Sequence, residues 1–385
     1  MNKVRIGIIG IGNIGSAHGK NIVDEKVKDT VLTAVCDIKK SRRDWAKKNL
    51  GEPVAIFDNA NEMMKSGLID GVIVATPHYD HPKLVMEAFD HGLHALCEKP
   101  AGVYTKEVRK MNETAEKSGL VFAMMFNQRT NPLYRKMYDM VHSGDYGQIK
   151  RVNWIVTDWY RTQTYYDSGG WRATWDGEGG GVLLNQCPHN LDLLQWICGL
   201  PNKVHAYAHE GKWHNIEVED DVTAYMEFEN GATGVFITST GDAPGTNRFE
   251  ITMEKAKIVC ENNQLSVYEL EVNEREFMFS AKEGFVKPPG KYIDVEIQGE
   301  GKEHIGIMEA FAGKILRDEP LIAEGVEGIN GLELSNAIHL SSWLGEAVTL
   351  PIDEDLFLEE LNKKRAGSKV KKNVRDVNFD IEGSY

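Results

Sequence analysis

Three glycines near the start of the chain have the spacing G-x-G-x-x-G, in Gly10-Ile11-Gly12-Asn13-Ile14-Gly15. They follow an apolar run, Arg5 to Ile9, that predicts a strand, and a helix is expected to begin within them. In that setting glycine permits a tight turn and close approach of the backbone to a pyrophosphate. A purely structural glycine turn is the alternative. The residues predicted to bind a dinucleotide are Gly10, Gly12, Asn13, Ile14 and Gly15.

A carboxylate, Asp37, follows the second predicted strand, Leu32 to Cys36. An acidic residue about twenty positions beyond such a glycine loop accepts hydrogen bonds from the adenosine ribose. Because its charge repels a 2′-phosphate, Asp37 favours NAD over NADP. Basic residues that offset part of this repulsion follow closely, at Lys39, Lys40, Arg42 and Arg43. An N-cap role for Asp37 before the next helix is compatible with cofactor binding.

Polar residues also follow the later strands of the first third of the chain. In a doubly wound sheet the carboxyl ends of the strands line the ligand crevice, so these residues are expected at the cofactor. On position alone Lys99 is either a surface cation that reaches toward solvent or a group aimed at the nicotinamide end of the cofactor. The residues expected to contact the cofactor are Thr76, Pro77, His81, Glu98, Lys99 and Asn127. Arg129 is expected to contact the nicotinamide ribose or the substrate.

A glycine run, Gly179 to Gly181, precedes Asn185 and His189, which are four residues apart. That spacing would place both side chains on one face of a helix that begins or bends at Pro188. Imidazole has a pKa of about 6.5 and accepts a proton near neutrality, as the oxidation of an alcohol requires. Asp192 either orients the imidazole or is an ordinary acid of the first helical turn.

The segment from Trp154 to Trp175 is rich in aromatic residues interleaved with arginines and glycines. Sugar rings have apolar faces that pack on indoles, and arginine binds hydroxyls or a carboxylate. The alternative is that these aromatic residues form the core of a domain interface. Besides Arg129, the residues expected to contact a substrate are Tyr160, Trp171, Arg172, Asn185 and His189.

Length and composition limit the class of protein. The 385 residues predict two domains, and 42% apolar with 26% charged residues is typical of a folded globular chain. The net charge of -14 argues against nucleic acid as a partner. Five scattered cysteines argue against disulfides and structural zinc and favour a reducing cytosol, and no apolar run is long enough for a membrane span. No histidine and cysteine spacing predicts a metal site.

Short apolar runs alternate with amphipathic stretches in the first third of the chain, which predicts an α/β fold with a doubly wound parallel sheet. Beyond Gly147, alternating runs predict an α+β domain with a large open antiparallel sheet. The expected division is a nucleotide-binding domain at 1–128, a substrate domain at 129–350 and a C-terminal arm at 351–385. Basic residues within Asn362 to Arg375 favour a solvated arm, or one packed on an acidic neighbouring subunit, over a grip on nucleic acid or membrane.

Together these motifs resemble the Gfo/Idh/MocA oxidoreductase family, over roughly residues 3 to 350. The resemblance implies a Rossmann domain followed by an open-faced sheet, NAD(P)-dependent oxidation of a sugar, polyol or glycoside hydroxyl, and homodimers or homotetramers built through the sheet. It also implies that Lys99 is catalytic and that His189 is the acid/base. Many dehydrogenases of the family carry aspartate where this chain has Asn185, which cannot take a proton. Proton chemistry is therefore assigned to His189 and Lys99.

The leading hypothesis is a cytoplasmic dehydrogenase that uses NAD to oxidise a secondary hydroxyl of a sugar, inositol or glycoside, with position 3 of a glycoside as one such hydroxyl. The small-molecule carbohydrate or polyol is then the main partner, and neither nucleic acid nor a membrane is expected. Two alternatives stay open. One is glycoside cleavage through transient oxidation by NAD, and the other is an NAD-binding regulator without catalysis.

Overall fold

The computed structural model describes residues 3–369, and the first third of the chain forms a six-stranded parallel sheet of order β3-β2-β1-β4-β5-β6. This order is that of a doubly wound sheet, in which the chain reverses its direction of growth between β1 and β4. The predicted fold class is confirmed. The strands are β1 (Val4–Ile9), β2 (Thr30–Cys36), β3 (Ala55–Phe57), β4 (Gly71–Val74), β5 (His94–Cys97) and β6 (Phe122–Met124).

Helices cover both faces of this sheet because its strands are apolar on both sides, as in β4, whose four residues are all buried. The helix before β6 ends at Gly119, whose φ of 65° is the left-handed conformation that glycine adopts readily. The helices between the strands are α1 (Asn13–Val23), α2 (Lys40–Asn49), α3 (Ala60–Lys65), α4 (His81–Asp90) and α5 (Thr105–Ser118).

The second sheet has nine strands in the order β14-β13-β12-β11-β7-β10-β9-β8-β15. Its neighbours are antiparallel except β7 and β10, which pair in parallel, so the sheet is mixed rather than wholly antiparallel as expected. Residues alternate between the two faces of a strand in parallel and in antiparallel pairing alike. The sequence pattern therefore did not reveal the direction of these two strands. The strands are β7 (Ile149–Val156), β8 (Lys203–Glu210), β9 (Glu219–Glu227), β10 (Thr233–Ser239), β11 (Asn247–Met253), β12 (Ala256–Glu261), β13 (Gln264–Leu270), β14 (Gly290–Ile293) and β15 (Val348–Thr349).

One face of the second sheet packs on helices, and Trp154 stacks on Phe249 in its core with ring centroids 4.1 Å apart. The other face is open, and Tyr207 and Tyr225 on it are 60% and 43% exposed. No helix of residues 3–369 has the length and apolar character needed to cross a bilayer. The helices of this half are α6 (Pro132–His142), α7 (Gln163–Tyr166), α8 (Pro188–Cys198), α9 (Glu274–Ser280), α10 (Glu303–Arg317), α11 (Gly328–Leu344) and α12 (Glu354–Ala366).

Two late helices connect the halves of the chain. The α10 helix buries Ile307 and Phe311 in the same apolar cluster as Ile6 and Ile8 of β1. The α12 helix belongs to the predicted C-terminal arm. Its Glu354 pairs with Arg109 of α5 at 2.9 Å, and its Lys364 pairs with Glu210 of β8 at 2.6 Å. The rest of the predicted basic arm, including Lys371, Lys372 and Arg375, lies outside the described residues.

A buried ion cluster joins the end of the first sheet to the second half of the chain. Arg129, in the 3₁₀ turn Asn127–Thr130 after β6, donates from Nε and Nη2 to the two carboxylate oxygens of Asp192 at 2.8 and 2.7 Å. Its Nη1 pairs with Glu327, in the turn that leads into α11. Arg129 was expected at the ribose or the substrate; each of its three nitrogens donates to one of these carboxylates, which ties it to α8 and to the turn before α11.

Replacement of Arg129 by methionine tests this cluster. Asp192 is buried, and loss of its guanidinium partner would leave an unpaired interior charge, so we expect the free energy of unfolding to fall by about 3–5 kcal/mol. The measurement is urea unfolding followed by circular dichroism. Arg135→Met, at an exposed arginine of α6, is the matched control. A loss no larger than that of the control would contradict a structural role for the cluster.

Candidate active site

The glycine loop lies at the carboxyl end of β1 and leaves open space above Gly12. Gly10 has a φ of +91°, and a Cβ atom there would lie 2.5 Å from the carbonyl oxygen of Ala75. A Cβ atom on Gly15 would overlap the carbonyl oxygen of Gly10, whereas one on Gly12 would meet nothing within 4 Å. The α1 helix begins directly afterwards, at Asn13, with no side chain capping its amides. Free amides at a helix N-terminus beside open space form a site for an anion.

Asp37 faces this loop. Its Oδ2 accepts a hydrogen bond from the Ile11 amide at 2.8 Å, and its Oδ1 accepts one from the Lys39 amide at 2.8 Å. A carboxylate oxygen has a second lone pair, so both oxygens remain able to accept from ligand hydroxyls. The neighbouring Arg43 donates to the backbone carbonyls of Asp37 and Ile38 at 2.8 and 2.9 Å, and Arg42 donates to that of Gly12 in the glycine loop at 3.2 Å.

His81 connects the loops that follow β4 and β5. Its Nε2 lies 2.8 Å from the carbonyl oxygen of Thr76 and its Nδ1 lies 2.7 Å from that of Pro100. Burial lowers the pKa of His81, while these two hydrogen bonds oppose that shift. We expected His81 at the cofactor, but both ring nitrogens are engaged by carbonyls, so its direct role is to hold the two loops together. Thr76 retains a buried hydroxyl with no partner among the described residues.

Glu98 and Lys99 point their functional groups to different partners. Glu98 Oε1 lies 2.6 Å from Nε2 of His18 on α1, and its Oε2 accepts from the Lys99 amide at 3.2 Å. Burial raises the pKa of Glu98, but the bond to His18 and nearby positive charges outweigh it and lower the pKa to about 2. We expected Glu98 at the cofactor, and these contacts instead give it a positioning role. Lys99 Nζ donates to the backbone carbonyl of Asn185 at 2.9 Å.

His189 lies in the first turn of α8 with its ring edge-on to Phe126, at a centroid distance of 6.3 Å. The side chain is buried, and neither ring nitrogen has a hydrogen-bond partner within residues 3–369. Burial, followed by the charge of Lys99 and then that of His304, holds the pKa of His189 well below its usual value. The shift favours the neutral imidazole, and both of its ring nitrogens are without partners among the described residues.

Other polar atoms at the crevice also lack partners. The amide oxygen and nitrogen of Asn127 are both buried without a hydrogen bond in the described part of the chain, as is the Thr76 hydroxyl. Buried polar groups in folded proteins are nearly always hydrogen-bonded, so unpaired ones at the carboxyl ends of β4 and β6 indicate where a ligand supplies the partners. Pro77, also expected at the cofactor, extends the same loop with a φ of -61°.

Asn185 belongs to a network that the sequence did not reveal. Its Nδ2 donates to Glu178 Oε1, and its Oδ1 accepts from the Tyr165 hydroxyl at 3.1 Å. Tyr165 in turn accepts from Arg172 Nη1 at 2.5 Å. The one available signal for Glu178 is its position directly before the glycine run, and Tyr165 was one of many aromatic residues in its segment.

Asn185 and His189 do not share a helical face, because the helix begins near Cys187, which is one of the two outcomes expected from Pro188. The α8 helix begins at Pro188, and Asn185 precedes it in a turn. Asp192, a candidate orienter of the imidazole, pairs with Arg129 instead. Proline is tolerated at the start of a helix but not in its interior, so α8 begins at Pro188 and the turn before it carries Asn185.

The aromatic segment divides between core and crevice. Trp154 and Trp175 are buried, and Trp175 packs edge-on against Trp343. Trp171 lies at the crevice, where its ring is edge-on to His78 at 5.9 Å. Tyr160, an expected substrate contact, is 50% exposed. Within residues 3–369 no group of three or more histidine, cysteine, aspartate or glutamate side chains is arranged to hold a metal ion.

Comparison with known families identifies the class of protein that this fold and site define. Residues 4–126 match the family described as an oxidoreductase family with an NAD-binding Rossmann fold, so the chain is an NAD-binding oxidoreductase. Residues 134–259 match the GFO/IDH/MocA C-terminal domain. The chain belongs to the Gfo/Idh/MocA family, whose named members act on CH–OH groups of sugars and polyols.

Individual relatives are distant but extend over most of the chain. The myo-inositol 2-dehydrogenase of Thermotoga maritima is 23% identical over 87% of this chain and 95% of its own length. The D-glucoside 3-dehydrogenase of Escherichia coli is 25% identical over 90% of this chain and 97% of its own length. The solved structure of the WlbA dehydrogenase from Chromobacterium violaceum, in complex with NADH and UDP-GlcNAcA, superposes with a TM-score of 0.78 at 27% identity, covering 92% of this chain and 97% of that one.

The residues present fit the dinucleotide that this family binds. The open space over Gly12 accommodates a pyrophosphate, Asp37 retains acceptor capacity for ribose hydroxyls, and Asn127 has unpaired amide atoms.

Alanine substitutions in the glycine loop separate binding from folding. In Gly12→Ala the new methyl group enters the open space, so we expect the dissociation constant for NADH to rise ~10-fold or more with an unchanged denaturation midpoint. In the matched variant Gly15→Ala the methyl group overlaps backbone, so that protein should be destabilised. NADH fluorescence titration and thermal unfolding measure both effects. Parent-like NADH affinity in Gly12→Ala would exclude pyrophosphate contact at this position.

A half-buried histidine, His304, gives a pH dependence of stability. His304, whose ring centroid lies 5.3 Å from that of His18, has its pKa lowered to about 4 by burial and then by the charge of His18. The unfolded chain therefore binds a proton more readily than the folded one between about pH 6.5 and pH 4, and stability falls as the pH falls. In His304→Gln we expect the loss of unfolding free energy between pH 7.5 and pH 5 to be about 2 kcal/mol smaller than in the parent. Urea unfolding of both proteins at each pH measures it, and identical pH dependences would refute the assignment.

Proposed function

We propose that the protein uses NAD to oxidise a secondary hydroxyl of a sugar, inositol or glycoside, with His189 as the acid/base and Lys99 as its electrostatic partner. The observation that carries this proposal is the meeting of two groups from different halves of the chain. Lys99 Nζ bonds to the backbone of Asn185, and its charge lowers the pKa of the unpartnered imidazole of His189. The named activities of the inositol and glucoside dehydrogenase relatives support the substrate class.

Oxidation of a secondary alcohol requires a base for the hydroxyl proton while hydride leaves the carbon. The bound nicotinamide supplies the hydride acceptor. His189 takes the hydroxyl proton at a ring nitrogen, since both nitrogens are unpaired and the imidazole is held neutral. Lys99 stabilises the negative charge that develops on the oxygen. Asn185 cannot take a proton, and its amide oxygen already accepts from Tyr165 and Gln186, so it contributes the one remaining Nδ2 hydrogen as a donor to the substrate oxygen.

The environment of Lys99 also supports its proposed role. Burial also lowers the pKa of Lys99, and the charge of Arg172 and then that of Arg161 add to the effect, while Glu98 and Glu178 oppose it. An amine with a lowered pKa holds its proton less tightly and is better suited to exchange it with a developing alkoxide.

The choice of NAD over NADP is part of the same proposal. Asp37 places a negative charge beside the glycine loop, and the Nη1 of Arg43 is already engaged by two backbone carbonyls rather than directed to a 2′-phosphate.

We further propose a cytoplasmic homodimer or homotetramer built through the open face of the second sheet, where Tyr207 and Tyr225 are exposed. All five cysteines are free, as a reducing compartment requires.

The chemical roles are tested by Lys99→Met and His189→Gln. Each substitution removes a charge-stabilising or proton-accepting group while filling similar space, so we expect turnover to fall ~100-fold or more. NADH affinity should stay near that of the parent. Activity is measured as NADH absorbance over a panel of inositols, aldoses and glycosides, with NAD and NADP in parallel. Lys110→Met, at an exposed lysine of α5, is the control.

Undiminished turnover in both variants would overturn the assignment of roles. Product analysis distinguishes dehydrogenation from glycoside cleavage. NADH that accumulates with an intact glycosidic bond supports dehydrogenation, and free sugar without net NADH indicates cleavage through transient oxidation. Binding of NADH without turnover of any member of the panel would indicate a regulator.

A further inference from the structure

Two arginines at the mouth of the crevice stack on one aromatic ring. The guanidinium carbon of Arg172 lies 4.4 Å from the ring centroid of Tyr165, and that of Arg161 lies 5.2 Å from the same centroid. Arg172 also lies over Trp171 at 4.8 Å, and Arg161 over Trp159 at 5.5 Å. Rings on both sides restrict these long side chains, so the two guanidinium groups are held in place before any ligand binds.

The hydrogen-bonding capacity of Arg172 is only partly used. Its Nη1 donates to the neutral Tyr165 hydroxyl, and its Nε is buried with no acceptor among residues 3–369. The Oε1 of Glu178 is 3.9 Å from Nη1, beyond hydrogen-bonding distance, and the two Glu178 oxygens accept from Asn185 and from the Ala173 amide. Arg172 Nε therefore has no hydrogen-bond acceptor among the described residues.

Arg161 has no acidic partner among residues 3–369, whereas Arg172 forms a long ion pair with Glu178, with Nη1 and Oε1 3.9 Å apart. The Nη1 of Arg161 donates to the backbone carbonyl of Tyr160 at 3.0 Å. The charge of Arg161 lowers the pKa of Asp158, which burial raises, but the two side chains do not pair. Arg129 shows the opposite arrangement, since all of its nitrogens contact carboxylates. The arginine pair Arg161 and Arg172 thus differs from the interior arginine that stabilises the fold.

Positive charge is concentrated beside the proposed hydride-transfer site. The charges of both arginines act on the amine of Lys99, and that of Arg172 acts on His78. Of the nearby carboxylates, Glu98 is paired with His18 and Glu178 is occupied as described. Arg172 Nε has no acceptor among the described residues, and Glu178, the carboxylate paired with Arg172, stays 3.9 Å from its Nη1.

Building on the proposed function, we propose that the substrate is an acidic sugar, whose carboxylate or phosphate group is held by Arg172 and Arg161. A guanidinium group only donates hydrogen bonds, and its planar edge matches two oxygens of a carboxylate or phosphate. A neutral hydroxyl satisfies one donor but leaves the positive charge uncompensated. The anionic group would fix the ring so that the hydroxyl to be oxidised lies at His189.

The test is calorimetric titration of the NADH-loaded protein, which needs no turnover. The probes are D-glucuronate and glucose 6-phosphate against D-glucose, and D-galacturonate against D-galactose. We expect at least one acidic member to bind ~10-fold or more tightly than its neutral counterpart, because charge-assisted hydrogen bonds exceed neutral ones by about this factor. The carboxylate and phosphate probes distinguish the two sources of the anionic group.

Two variants locate the effect. Arg172→Gln and Arg161→Gln should each weaken binding of the acidic sugar ~10-fold while the neutral sugar is unaffected. Arg135→Gln is the matched control, because this exposed arginine also stacks on an aromatic ring, Tyr138, at 5.4 Å. Equal affinity for the acidic and neutral members of every pair, including no binding of any, would overturn the proposal, as would discrimination that survives in both variants.

The outcomes separate this inference from the proposed function. Tight binding of an acidic sugar without NAD reduction would leave the anion site standing and remove the dehydrogenase assignment. Turnover of neutral sugars with a KM unaffected by either arginine substitution would leave the dehydrogenase assignment standing and remove the anion site.

Discussion

The hydrogen bond from Lys99 to the carbonyl of Asn185 is the contact on which the site depends. It joins the loop after β5 to the turn before α8, which lie in different halves of the chain. Burial of an amine is tolerated when its charge finds an acceptor, and here the acceptor is backbone that cannot change its own charge. The position of the amine is therefore set by the fold, while its protonation is left to respond to the surrounding charges.

Local signals in the sequence were sufficient for the class of fold. The glycine spacing after a strand and the alternation of strands and helices predicted the doubly wound sheet, and the combined motifs predicted the family. Both predictions are confirmed. The functions assigned to Lys99 and His189 stay predictions, although the charge of Lys99 contributes to the lowered pKa of His189.

Pairings across the chain could not be predicted from the sequence. Arg129, His81 and Glu98 all follow strands in the same way that ligand-binding residues do, yet they have partners between 19 and 198 positions away. A position at a strand end shows that a side chain is near the crevice, not which way its polar atoms turn. Glu178 was missed for the same reason, because its significance comes from contact with Asn185.

The α10 helix has a consequence for the order in which the protein is assembled. Its Ile307, Met308 and Phe311 complete an apolar layer with β1 and β5, although a whole second sheet is encoded between them. The nucleotide-binding half therefore cannot finish its interior while it emerges from the ribosome alone. It must wait, incompletely covered, until α10 has also been synthesised.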